Sequence, residues 1–376
     1  MGRCPTGKQL FLGVAGKSLP KRRPERGFIM SHEKSKVLVT GATGFLGRNI
    51  LKAIHAGGGE DFEIIAACRN PEKLPSFFRG EVRRGDLRDA AYRREIVQNV
   101  QAICHAGTWS SLWNHEQMER EAFFEPTLDL LDRARAAGAK RFLMSGTVVV
   151  AKRRRDGSPV RDDEPGSPTG FWPHLDRLVE IENRMRKSAS PGMKLISMRL
   201  GHFIGPGNTM GILPALLPRL KTRLVPWLAG GRSRLPLISG EDLGRAFLAA
   251  LRAPEKNLND YESLNIVGNE SPSMRDFISF ISEASGAPRP LFSVPYSAGY
   301  AFGWAMEKLH PALPGQSPFL TRSIVHLAED WNCPGEYARE KIGFQAKDDW
   351  RKTTAEALEE LSESDASWLP LAQETR

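Results

Sequence analysis

Lys36-Val37-Leu38-Val39-Thr40-Gly41-Ala42-Thr43-Gly44-Phe45-Leu46-Gly47 decides the fold of this chain. Its first five residues are a short apolar run suited to a buried parallel strand. A helical pattern follows from Arg48 to His55. The three glycines therefore lie on a strand–turn–helix. Gly41 permits a tight turn, Gly44 lets the backbone approach a pyrophosphate, and Gly47 lets the helix pack closely on the strand. Thr43, Phe45 and Leu46 complete the loop, where the helix amino terminus offers unpaired N–H groups to phosphates. A bare glycine-rich turn is the competing reading, but the context is correct on both sides.

Working outward, short apolar runs alternate with amphipathic helical segments from Val37 to Arg199, which predicts a doubly wound parallel α/β sheet. Phe62-Glu63-Ile64-Ile65-Ala66-Ala67-Cys68 reads as the second strand. An NAD site would place Asp or Glu directly after it, to hold the ribose 2′-hydroxyl. Arg69 stands there instead. A guanidinium grips a 2′-phosphate in a fork where a carboxylate would repel it. The alternative is a solvated loop arginine. The reading is NADP(H) in preference to NAD(H).

The glycine spacing resembles that of the short-chain dehydrogenase/reductase superfamily, and further matches in chain order point to its extended, epimerase/dehydratase-like branch. Gly85-Asp86-Leu87-Arg88-Asp89 is similar to the segment after the third strand, which implies that Asp86 and Leu87 touch the adenine. Ile103-Cys104-His105-Ala106-Gly107 resembles the fourth strand and its turn over the cofactor, at Ala106 and Gly107. Arg199-Leu200-Gly201-His202-Phe203 resembles the segment after the sixth strand, with Leu200 where Pro is usual, and places Leu200, His202 and Phe203 at the cofactor. Leu237 to Leu243 matches a later strand and helix start, with Asp242 expected at the helix cap. Leu264 to Gly268 and Lys341 to Phe344 match the carboxy-terminal half.

The resemblance implies a Ser/Thr, a Tyr and a Lys as the catalytic set, supported by an Asn. Thr147 falls on the Ser/Thr position, after Ser145 at the start of the turn. The Tyr-x-x-x-Lys pair is absent. Counting 25 residues on from Thr147 gives Trp172 for the Tyr and Asp176 for the Lys, and one-residue shifts restore neither. No Tyr occurs between Tyr92 and Tyr261. Phe123-Phe124-Glu125-Pro126-Thr127 occupies the segment that usually carries the Asn. His174 or His202 is then a candidate proton donor, since His titrates near neutral pH. Asp176 is expected to pair with Arg177 or Arg199, or to accept ribose hydroxyls; a solvated helix residue is the alternative.

Thr108-Trp109-Ser110-Ser111-Leu112-Trp113 follows the fourth strand, where the resemblance places an active-site loop. Trp109, Ser110 and Trp113, joined by Trp172, Phe203 and Trp227, suit a flat or bulky apolar ligand with a few polar anchors; core packing is the alternative. Residues 288–330 are similar to hydroxysteroid, flavonoid and long-chain ketoacid reductases, which implies a small apolar or aromatic substrate. The expected function is an NADPH-dependent oxidoreductase reducing a carbonyl or conjugated group, with a non-standard proton donor. A non-redox isomerase, cyclase or dehydratase on the same scaffold stays open, as does a cofactor-binding regulator. The resemblance makes a homodimer through two long helices a common outcome.

Composition narrows the partners. The 376 residues hold 53 Lys+Arg against 44 Asp+Glu, a net charge of +9. Residues 1–30 carry seven bases and one acid, a net of +6 that leaves +3 for the rest. That modest body has no basic stripe for nucleic acid. The arm reads as a disordered basic extension, or as codons upstream of a start at Met30. Lys152 to Arg155 and Asp162 to Glu164 read as a solvated excursion. No apolar run reaches the ~18 residues of a membrane span. The four cysteines, Cys4, Cys68, Cys104 and Cys333, lack disulfide or zinc spacing, which fits a cytoplasmic protein with reduced thiols and no metal. The expected domains are a dinucleotide-binding unit at 31–199 and a substrate region at 200–376, with 237–257 returning to the first.

Overall fold

The computed structural model describes residues 34–154, 156–312 and 318–364, together with Met1 and Gly2. Most of the basic arm, including Cys4, and Arg155 lie outside the described residues. From Lys34 onward the chain forms one compact unit.

The chain opens with β1 (Ser35–Thr40), α1 (Phe45–Gly57), β2 (Phe62–Cys68), β3 (Glu81–Arg84), α2 (Ala90–Ile96) and β4 (Ala102–His105). After α3 (Glu116–Glu119) and a π turn at Arg120–Phe124 come α4 (Glu125–Ala136), β5 (Arg141–Thr147), α5 (Pro173–Ser188) and β6 (Lys194–Leu200). The remainder comprises β7 (His202–Ile204), α6 (Ile212–Lys221), β8 (Trp227–Leu228), β9 (Leu237–Ser239), α7 (Gly240–Arg252), β10 (Tyr261–Ile266), α8 (Met274–Ser285) and β11 (Ser293–Val294). It closes with α9 (Tyr296–Leu309), α10 (Arg322–Leu327), α11 (Glu336–Ile342) and α12 (Trp350–Ser364).

Seven strands form one parallel sheet in the order β10-β6-β5-β4-β1-β2-β3. Val37 pairs with Ile64 on one side and with Ala102 on the other. The winding direction reverses between β1 and β4, which opens a crevice at their carboxyl ends. Strand alternation sorts the core into two layers. Val37 and Val39 pack with Ile50 and Ile54 of α1 and Leu243 and Phe247 of α7. Leu38 packs on the opposite layer with Leu130 of α4 and Leu178 and Ile181 of α5. Each fully buried aliphatic side chain contributes roughly 1.5–3 kcal/mol. A third core joins Leu213 and Leu217 of α6, Phe277 and Ile281 of α8, and Trp350 and Leu358 of α12.

Three expectations change. First, β10 forms the edge of the central sheet rather than part of the smaller region, because Tyr261–Ile266 pairs residue by residue with Leu195–Leu200. Secondly, the cap of α7 is Ser239, whose hydroxyl accepts the Asp242 N–H at 2.9 Å. Asp242 instead accepts the Lys347 and Asp348 N–H groups, tying α7 to the carboxy-terminal segment. Thirdly, the solvated excursion is anchored at one acid: Lys152, Arg161 and Asp163 are exposed and Arg154 pairs with Glu164 at 2.5 Å, but Asp162 turns inward. Asp162 is buried and accepts the Asn265 backbone and side-chain N–H groups at 2.6 and 2.8 Å. Burial pushes its carboxyl up to about 7. Arg199, fully buried on β6, forks onto Glu182 of α5 at 3.0 and 2.6 Å and donates to the Asp162 and Glu164 carbonyls.

Candidate functional site

At the end of β1 each glycine has a separate reason. Gly41 sits at φ +63°, and a Cβ there would lie 2.7 Å from Ala106 O and the Gly107 backbone. A Cβ on Gly47 would lie 2.2 Å from Gly41 O. One on Gly44 would meet only Gly41 O, at 3.3 Å, so this glycine keeps an open approach to the loop. No side chain caps α1 and no acid occupies its first turn, which suits an anion at its amino end. The Leu46 side chain is buried in the core, leaving its backbone for any ligand contact. Phe45 stacks on Phe203 at 6.0 Å, joining the loop to β7.

The facing turn is braced from below. Thr40 Oγ1 accepts the Gly107 N–H at 3.1 Å and meets His105 Nδ1 at 2.8 Å. His105 Nε2 meets Thr127 Oγ1 at 3.0 Å. Burial pulls this imidazole down to about 4. The neutral ring then accepts at Nδ1 from Thr40 and donates at Nε2 to Thr127. Thr127 thus takes a bracing role in the segment where the family's Asn is missing. Ser145 donates to His105 O at 3.1 Å, so its hydroxyl proton is committed to the same brace.

Arg69 is exposed at the end of β2 and makes no hydrogen bond or ion pair among the described residues. Asp86, the nearby acid, is held by Arg88 at 2.7 Å, and that contact lowers its pKa. Leu87 leans over the Gly107 turn, where an added Cβ would come within 2.8 Å of its Cδ1.

Leu200 and His202, also expected at the cofactor, stand at the end of β6 and the start of β7. The Leu200 side chain is fully buried in the sheet core, because β6 continues to Leu200 with its residues packed on both faces. His202 has a buried Nε2 without a hydrogen-bond partner, and burial lowers its pKa to about 4.

Thr147 ends β5 opposite Leu200, and its Oγ1 accepts the Val149 N–H at 3.5 Å, leaving its own proton free to donate. Trp172 caps α5 with its ring 4% exposed and its indole N–H donating to Ser111 O at 2.7 Å. Asp176 pairs with neither arginine, since Arg177 is taken by Glu180 and Glu116 and Arg199 by Glu182. It accepts instead from Thr169 N at 2.6 Å, Thr169 Oγ1 at 2.9 Å and Gly170 N at 2.9 Å. Asp176 therefore fixes the turn that presents Phe171 and Trp172. His174 turns toward α3, with Nδ1 3.0 Å from the fully buried Glu119, which also accepts the Ser111 N–H.

The tryptophan loop is partly assembled as expected. Trp109 and Trp113 both meet His115 edge-on, at 5.8 and 6.2 Å, and Trp113 meets His310 at 4.8 Å. Ser110 is exposed, whereas Ser111 makes the loop's hydrogen bonds. Trp227 belongs to the third core, under the Arg275 guanidinium at 4.5 Å, rather than with Trp109 and Trp113.

Sequence reasoning missed a polar cluster from the carboxy-terminal region. His326 Nε2 lies 3.3 Å from Val149 O, two residues past Thr147. Its Nδ1 lies 3.3 Å from both Tyr300 Oη and Glu329 Oε2. Phe171, Trp172 and Trp331 enclose the imidazole at 6.2, 6.3 and 5.0 Å. The i,i+3 spacing of His326 and Glu329 was the available signal. Among the described residues no helix is long and apolar enough to cross a membrane, and no group of side chains is arranged to hold a metal ion.

Comparison with known proteins places the fold and the family. The chain is 26% identical over 314 residues to 2-alkyl-3-oxoalkanoate reductase of Stenotrophomonas maltophilia, covering 81% of this chain and 92% of that protein. It is 22% identical over 314 residues to a 4-hydroxy-2-methyl-3-oxo-4-farnesyl-3,4-dihydroquinoline-1-oxide ketoreductase of Stigmatella aurantiaca, covering 83% and 92%. Its fold matches the Thermus thermophilus UDP-glucose 4-epimerase solved with NAD at a TM-score of 0.64 and 17% identity, covering 88% of this chain and all of that one. The profile of the NAD dependent epimerase/dehydratase family matches residues 37–266, more than half the chain, and this protein belongs to that family.

Proposed function

We propose that this chain is an NADPH-dependent reductase of a carbonyl or conjugated group on a bulky apolar substrate. The relatives named as reductases of oxoalkanoates and of a farnesylated quinoline support that class. The single observation that carries the cofactor choice is Arg69, exposed at the end of β2, where the nearby acid Asp86 is held chiefly by Arg88. The loop fits a dinucleotide: Gly44 is open, α1 is uncapped, and Gly41 and Gly47 admit no side chain. Gly41, Thr43, Gly44, Phe45, Leu46 and Gly47 would hold the pyrophosphate through the backbone. Arg69 would hold the 2′-phosphate. Asp86 and Leu87 would flank the adenine, and Ala106, Gly107 and Phe203 would line the crevice. When bound, a reduced nicotinamide supplies a hydride.

Thr147 binds the substrate oxygen with the proton that its own hydrogen bond leaves free. Trp109, Trp113 and Trp172 form the apolar wall. His174, oriented by Glu119, holds the loop after β4 against α5. Buried, unpaired Cys68, Cys104 and Cys333 fit a reducing cytoplasm. A second reading rests on Trp172 and Asp176 standing where the family pair belongs: a non-redox isomerase, cyclase or dehydratase.

The experiment is absorbance at 340 nm with NADPH and a panel of long-chain 3-oxo acids and aryl ketones, with products analysed by mass spectrometry. The reductase reading expects NADPH loss matched by alcohol. Converted substrate with unchanged NADPH supports the second reading. NADPH binding without any product supports a regulator. Thr147→Val should lower kcat about 100-fold, and unchanged turnover in both this variant and His174→Ala would remove the site assignment.

A further inference from the structure

Helix α9 is apolar on the side that faces water. Gly299 and Gly303 are its buried residues, and Glu307 turns the same way, accepting the Arg322 backbone N–H at 2.7 Å and its Nε–H at 2.8 Å. That i, i+4, i+8 row fixes the face packed on α10. The remaining arc carries Ala298, Ala301, Phe302, Trp304 and Leu309, all exposed, with Lys308 as its one charge. Each of the three large side chains is more than half exposed. A surface helix ordinarily turns polar residues outward, and one that is apolar all round is expected to be covered on both sides.

More exposed apolar side chains stand on the strand pair that leads into this helix. Trp227 N–H donates to Phe292 O at 2.8 Å, and β8 pairs in parallel with β11. Leu224 and the Leu291-Phe292 pair therefore lie at the same end of that two-stranded sheet, and all three are exposed. Pro295 then leads the chain into α9. The charge around these residues is one-sided. Residues 205–235 and 284–306 hold six bases and no acid. Arg223, Arg232 and Lys308 are exposed and form no ion pair among the described residues. The acids that border the second stretch are taken, Glu283 by Arg289 and Glu307 by Arg322. A second copy of this chain would bring those bases against each other, whereas an anionic lipid surface meets them with the opposite charge. Exposed Trp, Phe and Leu beside Lys and Arg are also the composition of an interfacial anchor.

We propose that the outer face of α9, with Leu224, Leu291 and Phe292 beside it, docks this protein peripherally on an anionic lipid surface. The helix holds 14 residues, about 21 Å, too short to span a bilayer, so it lies along the surface. Phe302, Trp304 and Leu309 enter the acyl boundary, and Arg223 and Lys308 meet the phosphates. The packing of Gly299, Gly303 and Glu307 already holds α9 in place, so docking orders no new segment and costs little conformational entropy. This role goes beyond the catalytic reading and does not rest on it, since vesicle binding is read without turnover.

The test uses the full chain with vesicles of phosphatidylcholine alone and of phosphatidylcholine mixed with phosphatidylglycerol, read by flotation. Wild type should float with the mixed vesicles and about tenfold less with the neutral ones. Phe302→Gln combined with Trp304→Gln should lose about 50-fold in partitioning, from the apolar area that no longer leaves water. Lys308→Gln should lose about fivefold, the worth of one base at an anionic surface. With brominated acyl chains, wild type should show a quenched tryptophan component that Trp304→Phe lacks. Flotation unchanged in the double variant overturns the proposal, because the basic residues 1–30 then account for the binding. No binding of wild type to mixed vesicles overturns it as well. So does a wild-type dimer in analytical ultracentrifugation that the double variant converts to monomer, since the face then belongs to a second copy. If the double variant does not fold, identical quenching of wild type and Trp304→Phe overturns the proposal instead.

Discussion

At the scale of single residues, the unusual catalytic positions are integral to the loop that holds them. Asp176 accepts three hydrogen bonds from 169–170, and Trp172 seals the crevice with its indole against Ser111. Asp176→Ala should therefore cost about 1 kcal/mol in urea unfolding, the net worth of part-buried hydrogen bonds to a carboxylate. Installing the family pair as Trp172→Tyr with Asp176→Lys should lower stability and raise no turnover, since the lysine removes the acceptor on which the turn depends. An increase in turnover would show that the turn tolerates the exchange. The Arg199–Glu182 pair makes a harder demand. Arg199→Met leaves a buried carboxylate, and should cost about 3–5 kcal/mol by the same measurement. These roles were not legible in sequence. Asp176 was readable only as an acid at a lysine's place, because its partners come from a turn whose path no local pattern specifies.

At the scale of elements, the strand–turn–helix at 36–55 was legible because its physics is local. The strand run, the three glycines and the helical period all lie within one contiguous stretch, and Gly41 and Gly47 meet the crowding expected of them. Gly47→Ala should destabilise the chain by about 1–3 kcal/mol, as overpacking does, and weaken dinucleotide binding, because its Cβ falls 2.2 Å from Gly41 O. Gly244→Ala makes a paired control. Its Cβ would fall 2.2 Å from Asn49 O, where α7 crosses α1, so it should lose stability while folded protein keeps its dinucleotide affinity. Thermal unfolding and fluorescence titration on the two variants separate these effects. What sequence left unread at this scale was long-range. β10 joins β6 across more than 60 residues, and His326 reaches the Val149 turn from far along the chain.

At the scale of the whole molecule, burial couples folding to pH. His105 is fully enclosed between Thr40 and Thr127, and its pKa falls from 6.5 to about 4 on folding. The unfolded chain then binds more protons between these values, so this residue's contribution is complete above pH 6.5 and is lost as pH falls toward 4. Asp162, raised to about 7, acts oppositely, contributing below its unfolded value and losing that contribution as pH rises. The difference in unfolding free energy between wild type and His105→Gln isolates the first effect. It should shrink by about 3 kcal/mol from pH 7.5 to 4, at about 1.4 kcal/mol for each pH step between the unfolded and folded pKa. A difference independent of pH would mean that the ring is already charged in the folded state.

The global charge also resolves at this scale. Most of the excess of +9 lies in the first 30 residues, and in the folded unit Arg69 is exposed at the end of β2, where the proposed function puts the 2′-phosphate. Titration of the wild-type chain with NADPH and with NADH, followed by nicotinamide fluorescence, measures that claim directly. Both dinucleotides should bind, NADPH about tenfold tighter, as expected of one charge-assisted contact, and Arg69→Ala should remove the preference. Absence of binding by either dinucleotide, or tighter binding of NADH, would contradict it.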